Sequence, residues 1–183
     1  MAISTVPPIP KSLDFADDDK PYFESLGGQL VRKMSPRRMH ARLQVRIATW
    51  LDEWAGASGE VGMEWRFYFL RTTHPSSLLP DVAYVSYERL PRTLPEDARE
   101  RPRVAPDIAV EIWSPGDRAA VLSEKVRLYL ANGSRVVIVV YPKRRKIVFH
   151  STDAEIAHPA AGKLRVPGYD GLTLDADALF REF

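Results

Sequence analysis

The sequence predicts a single-domain α/β (α+β) fold in which a mixed β-sheet is flanked by helices. Three observations predict it. Two segments carry apolar residues at helical spacing, Leu43, Ile47, Trp50, Leu51 and Trp54 in the first and Leu122, Val126, Tyr129 and Leu130 in the second. The run Val136-Val137-Ile138-Val139-Val140 is apolar without interruption, the pattern of a strand covered on both faces. The stretch Asp107 to Trp113 alternates, with Ile108, Val110 and Ile112 on one side and Asp107, Ala109, Glu111 and Trp113 on the other. Helices and strands distributed in this way must cover one another in layers. At about 150 residues per domain, 183 residues make one unit rather than two. Hydrophobic residues at 45% and charged residues at 27% exclude collagen-like, disordered and coiled-coil classes.

Each element follows in order. Residues 1–20 hold Pro7, Pro8 and Pro10 and then Asp17-Asp18-Asp19, with no periodic apolar pattern, and are expected to form a flexible N-terminal arm ahead of a folded domain at 21–183. From Tyr22 to Met34, two short apolar stretches flank Gly27-Gly28, which suits a hairpin because glycine accepts positive φ without steric penalty. Ser35-Pro36 reads as an N-cap followed by proline at the first helical position, which sets the first helix at Pro36 to Ala55. Gly56 to Gly62 breaks that helix. Trp65 to Leu70 and Asp81 to Tyr87, rich in aromatic and β-branched residues, read as strands. Four prolines between Pro91 and Pro106 mark a surface excursion. Ser114-Pro115-Gly116-Asp117 turns the chain into the second helix, which ends near Asn132-Gly133. After the central strand, Lys143-Arg144-Arg145 turns into a strand at Ile147 to His150. The tail reads as a short strand, a turn near Gly168 and a helical turn around Ala176 to Phe180.

Charge and cysteine content narrow the chemistry. The 26 basic residues against 24 acidic ones give a net charge of +2, too small to indicate a polyanion partner by itself. With no cysteine there is no disulfide, thiolate metal site or cysteine nucleophile, which leaves His and carboxylates as metal ligands. No apolar run approaches the ~18 residues of a membrane helix and the start lacks a signal-peptide layout, so a cytoplasmic protein without membrane contact is expected.

Four residues stand out. Asp81 and Asp107 each follow a proline and open an apolar strand, where the plain explanation is a solvated turn residue. Glu111 sits mid-strand between Val110 and Ile112. A carboxylate buried there costs several kcal/mol unless it is paired, protonated or bound to a metal. Lys125 lies at the edge of the second helix's apolar stripe. It either snorkels to water or, if the helix returns over the preceding strand, aims its ammonium at Glu111. Two carboxylates and one ammonium around a cleft would hold Mg²⁺ and a phosphate together.

The chain resembles the Uma family of restriction endonucleases, a branch of the restriction-endonuclease-like superfamily also written PD-(D/E)XK. The matching pieces are Gly28-Gln29-Leu30-Val31, Met34-Ser35-Pro36 with His40, Pro80-Asp81-Val82, and Pro106-Asp107-Ile108-Ala109-Val110-Glu111-Ile112-Trp113-Ser114-Pro115. They continue through Lys125, Tyr129, Gly133, the Val-Ile-Val run to Tyr141-Pro142, Gly168 and Gly171-Leu172, and so extend from about residue 20 to 183 in the family's order.

The resemblance implies a nuclease core in which Asp81 and Glu111 bind Mg²⁺ or Mn²⁺ and a lysine orients or activates the attacking water. The superfamily's lysine lies two residues after the acid, where this chain has Trp113, and Lys125 is the substitute. Asp107, Glu24 and His40 complete the candidate catalytic set. Gln29 stands where relatives often carry an acid. The implied function is Mg²⁺-dependent hydrolysis of DNA phosphodiesters, with a homodimer supplying one site per strand. The alternative is an inactive nuclease-like module that binds nucleic acid or protein, a reading kept open by Trp113. Arg37, Arg38, Arg42 and Arg46, and a second cluster at Lys143 to Lys146, are solvated faces or phosphate contacts.

Overall fold

The computed structural model describes residues 8–13, 22–70 and 74–182. Of the arm expected at 1–20, all but residues 8–13 lie outside the described residues; there Lys11–Leu13 makes a 3-10 turn with Leu13 buried. The chain then runs through β1 (Phe23–Leu26), β2 (Gln29–Arg32), α1 (Arg38–Ala55), β3 (Gly59–Gly62), β4 (Phe67–Phe69), β5 (Ser76–Leu78), β6 (Val82–Ser86) and α2 (Glu96–Glu100). It continues with β7 (Ile108–Ile112), α3 (Ala119–Ala131), β8 (Val136–Tyr141), β9 (Lys146–His150), β10 (Glu155–Pro159), β11 (Lys163–Arg165), β12 (Thr173–Asp175) and α4 (Ala176–Leu179).

The principal sheet has six strands in the order β10-β9-β8-β7-β6-β3. Only β7 and β8 are parallel within it, and they are joined by α3, the long crossover that a parallel pair requires. A smaller sheet, β2-β1-β5-β4, is antiparallel throughout, and β11 pairs with β12.

The alternation along β7 and β8 divides the core in two. Ile108, Val110, Ile112, Val136, Ile138 and Val140 face one way, against Leu43, Ile47 and Leu51 of α1 and the carboxy-terminal segment. Ala109, Val137 and Val139 face the other way, against Val126, Leu128 and Tyr129 of α3 and Phe67, Phe69 and Leu78 of the smaller sheet. Each fully buried aliphatic side chain contributes roughly 1.5–3 kcal/mol. Both helical stripes and the doubly covered strand thus stand where the periodicity sets them. No helix among the described residues is long and apolar enough to cross a membrane.

Several boundaries differ from expectation. Helix α1 begins at Arg38 rather than Pro36; Arg37 is its cap, with extended backbone and no side-chain cap bond, so Ser35 does not cap it. The segment ahead of it follows Lys33, whose ammonium is tied to the Leu79 carbonyl at 2.7 Å. The stretch 56–62, expected only to break α1, contains β3. Its glycine content hides the strand, yet Gly59 is required there, because a Cβ would come within 2.3 Å of the Val85 carbonyl oxygen. The hairpin glycines Gly27 and Gly28 have φ of 57° and 86°, as that turn requires. The excursion after β6 contains α2 and folds back on the smaller sheet, where the Tyr68 amide donates to the Pro102 carbonyl.

Candidate active site

The smaller sheet, the principal sheet and α3 meet at a cleft of about 510 Å³ lined by Glu24, Lys33, His40, Asp81, Glu111 and Lys125, among others. Glu24 comes from β1, Lys33 from just after β2, His40 from the first turn of α1, Asp81 from just before β6, Glu111 from β7 and Lys125 from α3.

Glu111 lies on the α3 side of β7, as the alternation requires. Its Oε2 accepts from Lys125 Nζ at 2.7 Å and its Oε1 from the Tyr129 hydroxyl at 2.9 Å. Lys125 and Tyr129 are one turn apart on α3, so the same helix face delivers both donors. Lys125 Nζ also contacts Glu24 Oε1 at 2.9 Å, and that oxygen accepts the Leu79 amide at 2.8 Å. The ammonium is not snorkelling: Lys125 is 6% exposed and sits between two acids. Asp81 Oδ2 accepts the Ile112 amide at 2.7 Å, which anchors this acid beside Glu111. Its Oδ1 pairs with Lys33 Nζ at 2.9 Å and lies 3.3 Å from His40 Nε2. His40 Nδ1 is 3.0 Å from the Ser114 hydroxyl, and Gln44 on α1 donates to the Asp81 carbonyl.

With every acid ionised, three carboxylates and two ammonium groups buried together would leave one negative charge in excess, and the acids divide the burden unevenly. Burial pushes the Glu111 carboxyl up to about 7, with the neighbouring Asp81 and Glu24 adding to the effect and Lys125 only partly offsetting it. Burial would raise Asp81 as well, but the Lys33 ammonium and His40 hold it well below the usual carboxylate range. Burial alone would depress Lys125; Glu111 and Glu24 outweigh it and keep the ammonium charged far above neutrality.

The cleft therefore gathers Glu24, His40, Asp81, Glu111 and Lys125. It does not include Asp107. That acid is buried just before β7, where it accepts the Ser86 amide at 2.8 Å and pairs with Arg89 at 3.2 Å and Arg135 at 3.7 Å. The alternation puts it on the Glu111 side of the strand but at the opposite end. Lys33 is the residue that sequence reasoning missed. Nothing distinguishes it locally from the basic residues around it, and the position of Asp81 beside it follows from tertiary structure alone. Of the first basic cluster, Arg46 donates to the Leu179 and Arg181 carbonyls and Arg42 pairs with Glu182, so both tie down the end of the chain.

Asp81 and Glu111, with Glu24 beside them, are oxygen donors of the kind that suits a hard divalent cation, and the excess negative charge is the kind such an ion offsets. As arranged, with ammonium groups against each of them, no group of three or more His, Asp or Glu among the described residues is set to hold an ion.

The fold has a counterpart among solved structures. A crystal structure of "a putative nuclease belonging to DUF820" from Anabaena variabilis ATCC 29413 superposes with a TM-score of 0.78 at 20% identity, covering 88% of this chain and 91% of that one. No curated protein sequence matches the chain. The Uma2 family, described as "Putative restriction endonuclease", matches residues 9–176, and the chain belongs to that family.

Proposed function

We propose that this cleft is the active site of a divalent-cation-dependent DNA endonuclease. The observation that carries the reading is the burial of Lys125 between Glu111 and Glu24, with Asp81 anchored to the next backbone amide, all at the wall of an open cleft. A purely structural ion pair has no need of a third acid, a second lysine or access from solvent.

In this reading Asp81 and Glu111 hold Mg²⁺ or Mn²⁺. When bound, the ion supplies polarisation of the scissile phosphate and a lower pKa for a ligated water. Lys125, held charged by two acids, stabilises negative charge on the phosphoryl oxygens, and Lys33 does so from the Asp81 side. Glu24 fixes the Lys125 ammonium in place. His40, engaged at both ring nitrogens, positions Asp81 against Ser114. A homodimer would present two such clefts to the two strands of a duplex.

A second reading, a nuclease-like module without catalysis, is favoured by Trp113 at the superfamily's usual lysine position. Mn²⁺ titration calorimetry and plasmid nicking separate the two. Wild type is expected to bind Mn²⁺ and nick plasmid, and Asp81→Asn and Glu111→Gln each to lose at least about tenfold in affinity together with nicking. A wild-type chain that neither binds the ion nor nicks would establish the inactive module.

A further inference from the structure

A second groove, of about 350 Å³, lies beside the acid cleft and is lined by Trp113, Leu122, Val126, Arg127, Tyr141 and Arg144. The two share a wall. Leu122 lines both, and Trp113 stands in the chain between Ile112 and Ser114, which line the acid cleft. Trp113 leaves β7 with its amide bonded to the Val140 carbonyl at 2.8 Å, so its backbone is fixed to β8 next to Tyr141. The two rings are half-buried, 5.7 Å apart between centroids and inclined by 35°. Two cations stand at the Tyr141 ring. The Arg144 guanidinium is 5.8 Å and the Lys146 ammonium 5.7 Å from the Tyr141 ring centroid, and Arg127, already paired with Glu124, borders the groove. Glu155 also lines the groove, 3.3 Å from His150, whose imidazole burial holds below its usual pKa.

The geometry points to this groove as a binding site for an unpaired nucleotide of a nucleic-acid strand, its base against Trp113 and Tyr141 and its phosphate against Arg144 and Lys146. The combination of partly exposed aromatic rings with two cations close to one of them recognises that ligand. Every base offers a π-face for stacking, and the backbone supplies the negative charge. An aliphatic peptide would use the rings but not the cations, and bases stacked within a duplex offer no free face. The inference deepens the nuclease reading and rests on it for direction: a strand whose scissile phosphate lies in the acid cleft carries its next nucleotide into the groove. In that arrangement Trp113, standing where the superfamily has a lysine, serves substrate binding.

The test is fluorescence anisotropy with a labelled oligothymidylate of about 12 nucleotides, as a single strand and as its oligoadenylate duplex, in the presence of chelator. Wild type is expected to bind the single strand more tightly than the duplex. Trp113→Ala and Tyr141→Ala should each weaken single-strand binding by about fivefold or more, with Trp113→Phe retaining most of it. Arg144 is exposed, so Arg144→Glu tests the same groove without disturbing the core; it should weaken binding and flatten its salt dependence. Equal affinity for single strand and duplex, or wild-type binding by Trp113→Ala, Tyr141→Ala and Arg144→Glu together, would overturn the inference. Because chelator removes any cation, the outcome is separate from that of the acid cleft. Nicking by wild type alongside unaffected groove variants sinks the groove alone. Weakened groove variants with no nicking sink the nuclease reading alone.

Discussion

Asp107, just before β7, and Glu111, near its other end, lie on the same side of the strand and are both almost fully buried, yet their surroundings differ in kind. Asp107 is saturated by a backbone amide and two arginines that hold the end of β6 and the entry to β8 together. Glu111 is held by a lysine and a tyrosine from one helix and faces a cleft shared with Asp81 and Glu24. Burial of an acid therefore does not mark a site. A carboxylate closed off by main-chain and guanidinium donors serves the fold, whereas one balanced by a lysine point charge at an open cleft keeps, in the proposed reading, a position that a cation can take over.

The sharpest way to break this contrast is at the lysine. Lys125→Ala leaves Glu111 and Glu24 buried without their counter-charge, and a loss of about 3–5 kcal/mol in unfolding free energy is expected by guanidinium titration. An unchanged midpoint would mean that water already solvates the acids, and the two ends of β7 would differ less than the packing indicates.

The next effect is on pH dependence. With its carboxyl raised from 4.5 to about 7, Glu111 keeps its proton in the folded chain after the unfolded chain has lost it. The folded state then binds more protons, so stability falls as pH rises through that window. Below 4.5 the group contributes nothing, and above about 7 its penalty is complete. Wild type should lose on the order of 2–3 kcal/mol across the window relative to Glu111→Gln, measured as the difference between the two unfolding curves. Parallel curves would show that Lys125 fully compensates Glu111.

The smallest effect is expected at the other end of the strand. Asp107→Asn removes the charge facing Arg89 and Arg135 and should cost about 2 kcal/mol of stability while leaving Mn²⁺ affinity at the wild-type value. A tenfold fall in that affinity would put Asp107 back among the residues of the cleft.

Periodicity made the layers legible. The stripes of α1 and α3, the alternation of β7 and the apolar run of β8 each report which face is covered, and together they fix the halves of the core. Strands β3, β5 and β10 escaped because they are short and built from Gly, Ser and edge-exposed residues, whose pairing is decided by neighbours far along the chain. The same distinction runs through the site. Glu111 and Lys125 could be linked in advance because the β7-α3-β8 crossover folds the helix back over its own strand. The contact of Lys33 with Asp81 depends on how the smaller sheet docks on the larger one, and nothing in either segment encodes it locally. Asp107 shared the proline-acid-apolar pattern of Asp81, and only the arginines brought to it by distant turns tell the two apart.

The cleft is assembled from segments that leave the ribosome far apart in time. A nascent chain that has emerged only through β7 already displays Glu24, Asp81 and Glu111 together with Lys33, the partner of Asp81, but lacks Lys125, the amine that balances Glu24 and Glu111. Synthesis of α3 supplies the missing charge and, with the same residue, closes the seam between the sheets.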